Sequence, residues 1–272
     1  MSDSKPYLSH SQINMFSNCG EQYRRRYIEG EKIPPGVAAL RGRGVHGASE
    51  INFRQKIETG ADLPKADLVD AAVTAFRETQ YREGVWLTEE ERGQGADVVV
   101  GKAIDSTVRL TGLYADNVAP AVDPALVETR IRIELPESPY DMLGVVDVAT
   151  KDHRIKDLKT AAKSKTQSDA DSSLQLTWYG LSYQAATGHE VASVDLEVLV
   201  DTKTPKHQRL ATTRSRRDYE VLVQRVNATI RAIQAGVFPP ANPGWWGCSP
   251  RFCGFFSSCR YANSERKDAA NE

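Results

Sequence analysis

The 272-residue chain has no appreciable excess of either charge: 35 Lys and Arg stand against 36 Asp and Glu, a formal net charge of -1. Bulk electrostatics therefore gives no reason to expect a nucleic-acid or membrane-surface partner, and any such partner must be argued from local clusters. Long hydrophobic runs are also missing. Purely apolar stretches such as 98–100 and 145–146 fall far short of the roughly 20 residues needed to cross a bilayer. The segment from Met1 to Pro6 lacks the apolar core of a secretory leader, so a cytoplasmic location is expected. Cysteine is scarce, with four in all. In a reducing compartment four cysteines are poor candidates for structural disulfides, which leaves thiols, a metal site or redox chemistry.

What is present is the composition of a globular protein: 40% hydrophobic and 26% charged residues, in a length that suits one elaborated domain or two small ones. Ser9 and Gln12 form a capping box, with Leu8 and Ile13 as a hydrophobic staple, and predict a helix running to about Tyr27. After the break at Pro34, Pro35 and Gly36, helices are expected over about 37–57, 65–81 and 89–114, the last opening on the box of Thr88 and Glu91. From about Pro124 the texture changes. Residues 127–133 alternate apolar and polar, 143–149 are continuously apolar, and 154–158 make a short third strand. A helix is expected at about 172–186, strands at about 192–200 and 208–212, and a helix at 216–235, with a frayed end at 264–272. That order implies an α/β sheet flanked by helices.

Asp147 closes a Gly-x-x-Asp strand segment, and Asp157-Leu158-Lys159 follows an apolar lead-in ten residues later. On adjacent strands joined by a tight turn, Asp147 and Asp157 come side by side, while Asp157 and Lys159 project from one face. Like charges held that way call for a cation between them, and hard oxygen ligands suit Mg²⁺ or Mn²⁺. A lysine beside the ion orients water and neutralises charge on a phosphate. Gln175 and Tyr179, four apart, share a face of the next helix. Gly42-x-Gly44-x-x-Gly47 matches a dinucleotide fingerprint but has no strand before it, so these glycines are assigned to close helix packing, with Arg41 and Arg43 available for phosphates.

The series His46, Asp147, Asp157-Leu158-Lys159 and Gln175-x-x-x-Tyr179 resembles the PD-(D/E)XK nuclease superfamily, and within it the RecB-like branch of the CRISPR-associated Cas-four exonucleases and AddAB-type nuclease domains. The resemblance extends from Ser9 to Tyr261. It implies a restriction-endonuclease-like α/β core, with a mixed central sheet flanked by helices. In that family a histidine, the two acids and one backbone carbonyl bind the metal and the lysine serves the water. Here those are His46, Asp147, Asp157, the carbonyl of Leu158, and Lys159, with Gln175 and Tyr179 positioning carboxylates or a phosphate. Glu128 on the first strand is a weaker candidate, which an ordinary exposed strand position would explain equally well.

Cys248, Cys253 and Cys259 form a C-x4-C-x5-C trio, far from Cys19. This spacing only reaches the edge of the usual zinc knuckle. One distant cysteine plus a C-terminal trio is similar to the iron-sulfur staple of the same branch, which implies a 4Fe-4S cluster on these four residues. Trp245, Trp246, Phe252, Phe255 and Phe256 are expected to shield it. The implied organisation is a helical region at 1–120 carrying Cys19 and His46, a nuclease core at 121–237 and an iron-sulfur region at 238–263, in one compact unit.

Basic residues concentrate at Lys151, Arg154, Lys156, Lys159, Lys163 and Lys165, and again at Lys203, Lys206, Arg209, Arg214, Arg216 and Arg217. Tyr23 to Tyr27 adds bases flanked by aromatics. Such patches track a phosphate backbone and stack on unpaired bases. The expectation is a metal-dependent DNA exonuclease acting without sequence preference on single strands or duplex ends, in recombination and repair, phage DNA metabolism or CRISPR adaptation. Two alternatives stand beside it: a non-catalytic iron-sulfur protein that binds DNA or a recombination partner, and a zinc-stapled interaction protein.

Overall fold

The computed structural model describes residues 5–242 and 244–262. The expected frayed end at 264–272 lies outside them. The elements are β1 (Tyr7–Leu8), α1 (His10–Asn18), α2 (Gly20–Tyr23), a π-helical turn (Arg24–Ile28), α3 (Val37–Thr59), α4 (Lys65–Glu83), α5 (Glu89–Gln94), α6 (Ala96–Asn117), β2 (Pro124–Ile133), β3 (Asp141–Thr150), β4 (Arg154–Ala161), α7 (Gln167–Asp171), α8 (Leu174–Thr187), β5 (Ser193–Val200), β6 (Lys206–Thr212) and α9 (Arg216–Gln234). Among the described residues no helix is long and apolar enough to cross a membrane.

Two helices differ from expectation for local reasons. The first is not continuous to Tyr27: Cys19 is extended (φ -160°, ψ 101°), and its thiol accepts the Gln22 N–H as the N-cap of α2. The helix expected over 89–114 is two, because Gly95 takes φ 90° between α5 and α6. A left-handed φ is cheap only for glycine, so the chain breaks there. Capping boxes at Ser9 and Thr88 form as their spacing predicts.

The mixed sheet runs β1-β3-β4-β5-β6, with β2 also on β3. Strands β2 and β3 are antiparallel, β4 and β5 parallel, and α7 and α8 lie in the crossover between the last two. One apolar layer, including Ile13, Val146, Ile155, Trp178, Val198 and Val226, joins the sheet to α1, α8 and α9. On the other face Val45, Phe53, Leu110, Val127, Val148, Leu158 and Leu199 join it to α3 and α6. Gly44 and Gly47 let α3 sit on α4: a Cβ would come within 2.8 Å of the Ala72 carbonyl oxygen at the first and 2.7 Å of the Ala75 Cβ at the second. The close-packing assignment therefore holds for Gly44 and Gly47, but not for Gly42, where a Cβ would meet only Thr160 Oγ1 at an ordinary 3.6 Å.

The pairing of β3 places the site. Its β2 edge is paired from Met142 to Thr150. On the opposite edge β4 pairs only at Val148 and Ala149, and β1 pairs only at Asp141 and Met142. The stretch between, which includes Asp147, faces a gap. Side chains fill it: Trp178 Nε1 donates to the Leu143 carbonyl (3.1 Å), and the Asp147 carboxylate accepts the Leu158 N–H (3.2 Å). Buried backbone polar groups need partners, so this splay is stable only with an acceptor such as Asp147 in place.

Candidate active site

Asp147, 8% exposed, is the hub of the gap. One carboxylate oxygen takes the Leu158 N–H and lies 3.5 Å from His46 Nδ1 on α3; the other accepts the Tyr179 hydroxyl at 3.2 Å. Gln175 Nε2 in turn donates to the Tyr179 oxygen at 2.6 Å. Burial beside Asp147 and Asp157 pushes the Tyr179 hydroxyl far above its usual range, so it stays a neutral donor. Gln175 and Tyr179 thus form a two-step brace that fixes how Asp147 points. Tyr179→Phe is expected to free that carboxylate at a stability cost of only about 1 kcal/mol, which thermal melting would check.

Glu128 joins His46 and Asp147: the three offer ligand atoms all within 4.8 Å of one another. Its backbone explains why strand alternation alone could not place it. Glu128 has φ 43°, a left-handed value rare outside glycine, in the middle of β2, and its Oε1 lies 3.9 Å from His46 Nδ1. Strain of this sort persists only where the surroundings hold it, and it clusters at functional sites. A small cavity of about 10 Å³ lies against His46, Glu128, Asp147 and Leu158. That is room on the scale of one water or small ion. Burial lowers the proton affinity of His46, but the Glu128 and Asp147 carboxylates outweigh it, and the net shift is upward.

Asp157 and Lys159 project from the other side of the gap. Asp157 is 1% exposed, and its carboxylate accepts from Lys159 Nζ at 2.9 Å. Burial lifts its pKa to about 6, only partly offset by Lys159, with Asp147 pushing the same way as burial. Burial alone would lower the Lys159 pKa, yet Asp157 and Asp147 reverse this and raise it, so the amine rests protonated. Both line a cleft of about 940 Å³ that also reaches Gln175, Lys165, Arg225, Trp245 and Trp246. His10, which no sequence pattern singled out, lines the same cleft and meets Tyr179 edge-on at 5.7 Å between ring centres. Burial, reinforced by Lys159, drops its pKa to about 4, so it is neutral near pH 7.

Several basic residues do not face a substrate. Lys156 is buried and bonds Glu197 (2.6 Å), and Arg209 bonds Asp195 (2.5 Å). Arg214 is tied to Thr177 and the Ala170 carbonyl, Arg41 to Asp201 and Arg43 to Glu83. The Tyr23–Tyr27 stretch is also structural. Tyr23 is buried and stacks on Phe238, Arg24 pairs with Glu21 and Glu29, and Arg25 with Glu31. Arg41, Arg43, Lys156 and Arg209 are neutralised by acids distant in sequence or on the next strand, whereas Arg24 and Arg25 pair with acids close by in the chain.

Cys19, Cys248, Cys253 and Cys259 line one small cavity of about 20 Å³, with Trp245, Phe255 and Phe256. Gln22 bridges the two chain ends there, its N–H on Cys19 Sγ and its Nε2 on Cys253 Sγ (3.5 Å). Arg25 lies over the Phe255 ring at 4.6 Å. Gly20 permits the approach, since a Cβ would come within 2.7 Å of the Pro239 nitrogen. Of the aromatics expected as a shield, Trp246 and Phe252 are instead exposed, at 66% and 52%.

The sequence pattern of the PD-(D/E)XK nuclease superfamily matches residues 7–260, and the chain belongs to that superfamily. Its nucleases use divalent metals, and the His46, Glu128 and Asp147 group is of the corresponding ligand type. A solved structure described as a "putative exonuclease" from Eubacterium rectale is similar in fold, with TM-score 0.56 and 12% identity over 96% of this chain and 90% of that one. A second, described as SSO0001, aligns over 97% of this chain and 90% of its own with TM-score 0.43 and 10% identity. No curated protein matches the chain.

Proposed function

We propose that the protein is a Mg²⁺- or Mn²⁺-dependent deoxyribonuclease of the RecB-like branch, acting as an exonuclease on single strands or duplex ends. The observation that carries the reading is the juxtaposition, across one unpaired segment of β3, of Asp147 with its His46 and Glu128 neighbours and of Asp157 with Lys159. The similar fold described as an exonuclease agrees with it.

The donor set suits a hard divalent cation: carboxylates and one imidazole about a space of about 10 Å³. His46, Glu128 and Asp147 border that space and would hold the cation, while Asp157, which lines the adjoining cleft, and the Leu158 carbonyl are the ligands that the resemblance adds. When bound, the cation supplies positive charge that polarises the scissile phosphate and makes water a better nucleophile. The chain's own groups do the rest. Tyr179 and Gln175 hold Asp147 in one orientation. Protonated Lys159 donates to the phosphoryl oxygens, offsetting charge as the water oxygen bonds to phosphorus and the ester P–O bond breaks; the water's proton passes to solvent, and the leaving oxygen takes one up from solvent. His10, neutral and beside Lys159, adds no competing positive charge.

The four cysteines are read as holding a 4Fe-4S cluster. The cavity they share, walled by aromatics, supports this. Recombination and repair, phage DNA metabolism and CRISPR adaptation remain the settings in which such an enzyme would work.

Digestion of end-labelled single-stranded DNA with added Mn²⁺ or Mg²⁺ tests the function. Wild type should shorten the strand, chelator should stop it, and Lys159→Ala should slow it by about 10²- to 10³-fold. Full activity in Lys159→Ala would remove the assignment. Labelling each end in turn gives the polarity.

A further inference from the structure

The catalytic cleft has a wall that hydrolysis does not require. The cleft that Asp157 and Lys159 line is also lined by Trp245 and Trp246 and by the exposed cations Lys165 and Arg225. Trp246 is 66% exposed, in contrast to Trp178, which is wholly buried in the core. Nor is Trp246 needed at the cysteine cavity, which Trp245, Phe255 and Phe256 line. Its position is nonetheless fixed. Phe252 meets it edge-to-face, with ring centres 4.8 Å apart and planes at 88°, and Trp245 lies 5.7 Å away. Its carbonyl accepts the Ser249 hydroxyl at 3.1 Å, and the adjoining Cys248 N–H donates to the Trp245 carbonyl at 3.0 Å.

An indole left in water but braced by its neighbours is prepared to cover something flat. The chemistry of the cleft says what. Lys165 and Arg225 attract a polyanion, and a nucleobase gives an indole a π-face to stack on. Bases inside a duplex are already stacked on both faces, so only an unpaired strand can exploit the platform. Resting on the reading of the cleft as a nuclease site, we propose that Trp246, supported by Trp245 and Phe252, is a base-stacking platform that selects single-stranded DNA and presents it to the Asp157–Lys159 pair. Trp246 is then a specificity determinant, touching the substrate at a base while the reacting phosphate lies deeper in the cleft.

Binding to a labelled single-stranded oligonucleotide and to the blunt duplex of the same sequence, in chelator so that nothing is cut, tests this directly. Loss of one base stack corresponds to about 5- to 150-fold in affinity. Trp246→Ala should weaken single-strand binding within that range and leave duplex binding within about twofold, while Trp246→Phe should recover most of the loss. Tyr81→Ala, which removes an aromatic that is 92% exposed and outside the cleft, should change neither. Equal loss on both DNAs, or wild-type single-strand affinity in Trp246→Ala, overturns the platform. If wild type binds but never digests DNA with Mn²⁺, the nuclease reading fails while the binding comparison still decides the role of Trp246.

Discussion

Asp157→Asn is expected to abolish cleavage, by on the order of 10³-fold, and at the same time to raise the melting temperature of the metal-free protein at pH 8. The reason is that this carboxylate is held where its charge is costly. Its pKa rises from 3.8 to about 6, mainly through burial, with Lys159 offsetting and Asp147 adding to the shift. A folded-state pKa above the unfolded one means that the folded protein holds the proton more tightly. Below pH 4 both states are protonated and the group is neutral in the balance. Between pH 4 and 6 only the unfolded state has released its proton, so stability falls as pH rises, and above 6 the full cost remains.

Asparagine keeps the shape and removes the charge, but it also weakens the contact with Lys159 Nζ, now 2.9 Å from the acid. The net gain should therefore be modest, on the order of 1 kcal/mol, or a few degrees in the melting temperature of a chain this size. A divalent cation reverses the ranking. At 100 times its dissociation constant a ligand adds about 2.7 kcal/mol to wild type, and Asp157→Asn should gain little of it. Melting both proteins at pH 8 in chelator and in Mn²⁺ gives four temperatures that must cross over. A variant less stable than wild type in chelator, or equally stabilised by Mn²⁺, would contradict the account of Asp157.

The sequence made the chemistry of this site more legible than its geometry. Asp147, Asp157, Lys159, Gln175 and Tyr179 are local patterns: period two on a strand, or four apart on a helix. Their contacts follow from those patterns once the strands pair. Glu128 was ambiguous because alternation assumes an extended backbone, and its φ of 43° departs from one. His10 was hidden because a capping box explains the start of α1 without saying which way its first residue turns. The two-residue β1 was unreadable for a different reason: its stability comes from the edge of β3 that β4 leaves vacant, not from its own sequence. Charge clusters misled most. Lys156 looks exposed in a basic run, but Asp195 and Glu197 on β5 draw it inward, while Arg209 pairs with the same acids from the exposed side.

Replacement of the cysteines should have the largest effect on the protein itself. Cys19 sits between α1 and α2, and its cluster partners follow α9, so a bound cluster would tie the N-terminal helices to the tail across most of the chain. Closing a loop of that length removes about 5 kcal/mol of unfolded-state entropy, by the reasoning that applies to long disulfide loops. Protein contacts also fasten the tail, among them Gln22 on Cys253, Arg25 on Phe255 and Ser258, Arg260 on Glu21, the Gly20 N–H on the Pro239 carbonyl, and the buried Phe255 and Phe256, but none closes the chain ends covalently. Cys259→Ala should therefore lose iron, melt about 10–20 °C lower and accumulate as insoluble protein. Cys19 needs a finer test, because its thiol also caps α2 by accepting the Gln22 N–H. Cys19→Ser preserves the cap, since serine is at least as good an N-cap acceptor, but supplies no soft thiolate for iron. If the thiolate matters, Cys19→Ser and Cys19→Ala should fail alike, with iron and sulfide content falling together. Rescue of stability by serine in a protein without iron would assign Cys19 to the helix cap and remove the cluster from the account of how the two ends are joined.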